Sequence, residues 1–113
     1  MLGPSQIRVH GAQTLEMADF LLLATGGTVL LMDTQFADGE WRDALAMTRR
    51  VHPQVAPLIC ADLEDRGLLE SAGDLGALDI LWRPLEVERL RAGIRAAHEV
   101  AIERLGTTPR LSL

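Results

Sequence analysis

The 113-residue sequence has one cysteine, Cys60, so no disulfide can form within the chain, and a lone thiol suits a reducing compartment. No apolar run approaches the ~18 residues that a membrane helix needs. The start carries no basic stretch followed by an apolar one, so a cytoplasmic location is expected. Basic residues are outnumbered, 11 against 16 acidic, and the net charge of −5 argues against nucleic acid as a partner, because phosphate backbones need clustered cations. The arginine-rich stretch near the C-terminus is interleaved with acids, as a solvated face is. His10, His52 and His98 are scattered without metal-ligand spacing. Gly26-Gly27 lacks the Lys and Ser/Thr of a phosphate loop and reads as a turn. There is no internal repeat, no low-complexity tract, no nucleophile–base pair and no glycine-rich cofactor turn, so an enzyme is not expected.

What remains is ordinary material for one globular domain. At 48% hydrophobic and 24% charged residues, a chain of this length buries roughly two thirds of its unfolded surface. The expected domain is 1–113, with 1–5 as a leader and 106–113 as a loose tail. Ile7 and Val9 flank Arg8, the alternation of a short strand. Thr14 can cap a helix in which Leu15, Ala18 and Leu22 recur at helical spacing, and Gly26-Gly27 ends it. Residues 28–32 are apolar on both faces, like a central strand of a covered parallel sheet. A second helix is expected over 40–51, burying Trp41, Ala44, Leu45 and Thr48, and His52-Pro53 stops it. A strand over 55–60, a helix over 63–74 capped by Asp62, a strand over 78–82 and a long helix over 86–105 complete the pattern. Alternating strands and helices imply a parallel sheet, with any chemistry at the carboxyl ends of its strands. Asp33, Cys60 and Arg83 fall at three such ends.

These positions resemble the receiver domain of two-component response regulators, over about residues 7–103. Met32-Asp33 followed by Ala37-Asp38-Gly39 is similar to the family's phospho-acceptor strand and the turn after it. Trp41 matches a bacterial subgroup that carries tryptophan after this turn. Ile59-Cys60-Ala61 resembles the switch strand, and Asp74 through Leu85, with Arg83-Pro84 near its end, resembles the stretch that carries an invariant Lys-Pro. The resemblance implies a flavodoxin-like α/β fold with helices on both faces of the sheet. It implies Asp33 as acceptor of a phosphoryl group from a histidine kinase, Cys60 at the Thr/Ser switch position, Arg83 at the Lys position and a cis Arg83–Pro84 bond. Trp82 falls where the family places a residue whose burial reports activation.

Three departures accompany the resemblance. A receiver has a strand and a helix ahead of the segment matched to residues 7–9, and the end of that strand carries the acidic pair that binds Mg²⁺. Lacking both, by natural truncation or a late-assigned start, the chain is expected to hold Mg²⁺ only weakly, through Asp33. A thiol at Cys60 is a weak donor, and the planar fork of Arg83 is not a compact ammonium. A missing helix also bares on the order of several hundred Å² of apolar surface. At ~25 cal/mol per Å² this amounts to several kcal/mol, comparable to a domain's net stability. A homodimer, with or without exchanged elements, is the expected compensation; direct pairing of residues 7–9 with 29–32 is another.

Bland readings stand beside these. Asp33 can simply end a strand and satisfy the next turn. Cys60 can be a small buried hydrophobe, Arg83 an ordinary ion-pair residue, and both tryptophans packing residues. Two functions follow: a phosphorylated receiver that signals by contact, or a degenerate receiver that never carries phosphate and serves as a dimerising interaction module.

Overall fold

A computed structural model describes residues 9–107. Helix α1 spans Leu15–Thr25. Its N-cap is Thr14, whose Oγ1 accepts from the Met17 N–H at 3.0 Å. It ends at Gly26, whose φ of 68° is the left-handed turn glycine adopts without a Cβ penalty. Strand β1 is Val29–Met32, and a short antiparallel pair, β2 (Gln35–Phe36) and β3 (Gly39–Glu40), follows it. Helix α2 is Trp41–Val51, with the Asp43 carboxylate accepting from the Glu40 N–H at 3.0 Å. It buries Trp41, Ala44, Leu45 and Thr48, the four residues its spacing selects. Strand β4 is Ala56–Ala61, strand β5 is Asp79–Trp82, and helix α3 is Val87–Thr107.

The main sheet is parallel, in the order β1-β4-β5. Its register sets Met32 opposite Ile59 and Ala61 opposite Trp82. Every residue of β4 is buried. Successive side chains of a strand point to opposite faces, and two cores result. Ala56, Leu58 and Cys60 join Leu81, Ala97 and Ala101 beneath α3. Ile59 and Ala61 join Met32, Trp41, Ala44, Leu45, Leu69 and Ala72 beneath α2 and the segment after β4. The fold is thus the expected α/β architecture, a parallel sheet covered on both faces.

Two local expectations need correction, and a third lies largely outside the described residues. Ile7 and Arg8 of the first proposed strand lie outside the described residues, and Val9 is in no strand and is 80% exposed. Among the described residues β1 therefore pairs only with β4. The helix expected over 63–74 is instead a 3₁₀ turn, Leu63–Asp65, followed by irregular turns to Gly76. Gly67 and Gly73 weaken a regular helix there. The Leu69 N–H shares the carbonyls of Asp65 and Arg66, at 3.2 Å each, and burial of Leu69 and Ala72 pins the segment. Gly106 and Thr107, read as the start of a loose tail, continue α3; the rest of that tail lies outside the described residues. The β2–β3 pair was not anticipated, because two-residue strands leave no periodicity to read.

The hairpin is fitted closely onto α1. The Asp38 carboxylate accepts from the Leu15 N–H at 2.7 Å and the Glu16 N–H at 3.3 Å, satisfying the first turn of α1 from outside. The Leu15 hydrogen bond is the largest influence on that carboxyl and holds its pKa below the ordinary value. At Gly39 an added Cβ would come within 2.6 Å of Leu15 Cδ1 and 2.9 Å of Asp43 Oδ2. Gly39→Ala is therefore expected to cost about 1–3 kcal/mol, the range for overpacking, measured by urea denaturation. A stability equal to the parent's would refute the close fit.

Candidate functional site

Each strand of the main sheet is followed directly by a polar residue: Asp33 after β1, Asp62 after β4 and Arg83 after β5. Parallel strands in register bring these three to one edge, the carboxyl edge where ligands bind in open α/β sheets. Arg83 lies between the two acids. Its Nη2 is 3.3 Å from Asp33 Oδ1, and its Nη1 is 3.7 Å from Asp62 Oδ1. The Arg83 backbone N–H donates to the Ala61 carbonyl at 2.8 Å, which anchors the arginine beside β4. The Arg83–Pro84 peptide is cis, as the resemblance implied.

Asp33 is open to solvent, its side chain 61% exposed. Its Oδ1 also accepts from the Thr34 N–H at 2.8 Å, so Oδ2 is left without a hydrogen-bond partner among the described residues. The carboxylate thus has one fixed oxygen and one presented oxygen beside a permanent cation. Partial burial works against the charge on Arg83. Its hydrogen bond to Asp33 and the charges of Asp33 and Asp62 outweigh that, and its pKa is raised. The guanidinium stays charged, with its two terminal nitrogens facing the two acids.

Cys60 sits differently. Its side chain belongs to the core beneath α3, with the residue 7% exposed. Burial is the main cause that pushes its thiol pKa up; Arg83 opposes the shift and Asp33 adds to it. Trp82 is half-buried against the core on the α2 side. Asp62 was read from sequence only as a helix cap. Its spacing, the first residue past a buried strand, was the signal that placed Asp33 and Arg83 as well.

Weak Mg²⁺ binding through Asp33 alone is the expectation for the metal. Among the described residues no group of three or more His, Cys, Asp and Glu side chains could hold an ion. Asp33 and Asp62 both face the Arg83 guanidinium, which already offsets their charge. Oδ2 is the oxygen of Asp33 open to such an ion, and Arg83 is the charge-offsetting group beside it.

No protein-family model matches the sequence, and no curated protein matches it at a significant level. Solved structures do. The signal receiver domain of a Luxo repressor protein from Vibrio parahaemolyticus has a TM-score of 0.73 at 18% identity, over 86% of this chain and 75% of that one. A response regulator receiver domain from Clostridium thermocellum gives 0.71 at 18% identity, over 85% and 76%. The beryllofluoride-activated receiver domain dimer of NtrC4 gives 0.70 at 22% identity, over 80% and 74%. The chain has the receiver fold of response regulators.

The position of Cys60 has a measurable consequence. A raised pKa leaves less thiolate at any pH below it, and only the thiolate is alkylated. Iodoacetamide at pH 8 is expected to label the native protein at least about tenfold more slowly than the urea-unfolded chain. Equal rates would mean that the thiol faces the carboxyl edge rather than the core.

Proposed function

We propose that this chain is a receiver-type signalling domain, which takes a phosphoryl group on Asp33 from a phosphohistidine of a kinase and passes the signal on by protein contact. The observation that carries the reading is the exposed Asp33 carboxylate, one oxygen free, beside the Arg83 fork at the carboxyl edge of a receiver fold. In the transfer, Asp33 Oδ2 attacks phosphorus, the P–N bond of the donor breaks, and the imidazole leaves. Arg83 then offsets the negative charge added at Asp33. Leu63 and Leu68, 60% and 59% exposed on the turns that follow Asp62, suit a surface read by a partner.

A second reading keeps its support. Cys60 packs into the core where the family carries a hydroxyl, and among the described residues no carboxylate cluster is built for a metal. Both features fit a degenerate receiver that works by contact alone. One assay separates the two. Incubation with acetyl phosphate in millimolar Mg²⁺ is expected to add the mass of one phosphoryl group, and Asp33→Asn to abolish the gain. A parent protein that gains nothing leaves the contact module.

Self-association belongs to either reading. Met17, Phe20 and Leu23 on α1 are 47%, 60% and 78% exposed, and Leu31 on the edge strand β1 is 39% exposed. A helix apolar on more than its inward face is unusual for a lone domain. A homodimer that covers this flank is the expected state. Size-exclusion chromatography with light scattering that returns a monomer at micromolar concentration would remove it.

A further inference from the structure

All 11 basic residues of the chain are arginines, and three of them line one groove. The exposed face of α2 and Leu75, on the turns before β5, enclose about 290 Å³ between Arg42, Ala46, Arg49, Arg50 and Leu75. A second hollow of about 170 Å³ meets it at Arg49 and extends past Pro53, Pro57 and Gly76 to Arg104. Val55 and Gly76 border the starts of β4 and β5, so this second hollow lies toward the amino ends of the strands, away from Asp33.

The arginines are held in different ways. Arg42 Nη1 pairs with Glu40 at 2.9 Å, and its guanidinium lies 4.5 Å from the centre of the Trp41 ring. Arg49 Nη2 donates to the Asp74 carbonyl at 3.2 Å, and the same guanidinium lies so near Gly76 that a Cβ there would be 3.4 Å from it. Neither Arg49 nor Arg50 has a carboxylate within ion-pair distance among the described residues. Two cations in the last turn of α2 complement the helix dipole. The dipole does not account for a fork fixed on the backbone of residues 74–76, nor for Leu75, 37% exposed beside it.

We infer that this groove docks an acidic peptide segment of a partner protein, its carboxylates on Arg49 and Arg50 and an aliphatic side chain on Ala46 and Leu75. The charge match selects the occupant. Arg49, oriented by its hydrogen bond to the Asp74 carbonyl, presents a planar fork that can pair with a carboxylate in bidentate fashion. The Ala46–Leu75 floor gives no return to a purely ionic ligand. Nucleic acid or an anionic membrane would need a longer cationic track than three arginines on one helix face. The inference does not depend on phosphorylation at Asp33, and the apolar flank of α1 and β1 plays no part in it.

The test is an NMR titration of the full chain with a short amide-capped peptide of glutamate and leucine. Shifts are expected at Arg42, Ala46, Arg49, Arg50 and Leu75. Arg50→Glu is expected to weaken binding about tenfold and Leu75→Ala about fivefold, the scale of a charge-assisted pair and a small apolar contact. Both side chains are exposed, and circular dichroism checks that each variant folds. Arg49→Glu serves as a third variant. No binding at millimolar peptide overturns the inference, as do shifts confined to other surfaces. Equal binding of oligoglutamate overturns the role of the apolar floor and with it the proposed occupant. Tighter binding of oligothymidylate or phosphatidylserine vesicles at the same residues replaces the peptide with a nucleic acid or a membrane.

Discussion

A six-residue strand with no exposed residue needs hydrogen-bonding neighbours on both edges and a packed layer on both faces. Strand β4 imposes that requirement, and the rest of the chain answers it. β1 and β5 take the edges, α3 covers one face, and α2 with the turns of residues 63–76 covers the other. The parallel register then fixes where the strands stop. Asp33, Asp62 and Arg83 meet because each is the first residue past a strand of the same parallel sheet. The site is a by-product of burial before it is anything chemical.

That order explains what could be read from the residues alone. Long apolar runs such as 28–32 and 55–60 announce themselves, and so does the three-and-four spacing that buries Trp41, Ala44, Leu45 and Thr48. Strand ends follow from strands, which is why Asp33 and Arg83 were legible as partners. Asp62 was not, since Asp before an apolar residue reads equally well as a cap, and only the arginine's reach distinguishes the two. The segment after it departs from its helical pattern for a related reason. Leu69 and Ala72 have helical spacing, but Gly67 and Gly73 leave the backbone free to settle in turns once those two side chains are buried. The partnership of Asp38 with α1 spans 23 residues and leaves no local trace.

Arginine at position 83 alters the electrostatics of the edge. A guanidinium has two outward nitrogens available at once, so it engages Asp33 and Asp62 together, where an ammonium would serve as a single point of charge. Both acids remain exposed, so their pairing with Arg83 contributes little to stability. Its effect is positional: it sets which oxygen of Asp33 is engaged and which is open.

The loop that begins at Asp33 is tethered along its length. The Trp41 N–H donates to the Thr34 carbonyl at 3.1 Å, the Ala37 N–H donates to the Gln13 carbonyl at 3.1 Å, and the Asp38 carboxylate grips the first turn of α1. Moving the first residue of a segment clasped in this way would act on hydrogen bonds at the opening turns of two helices.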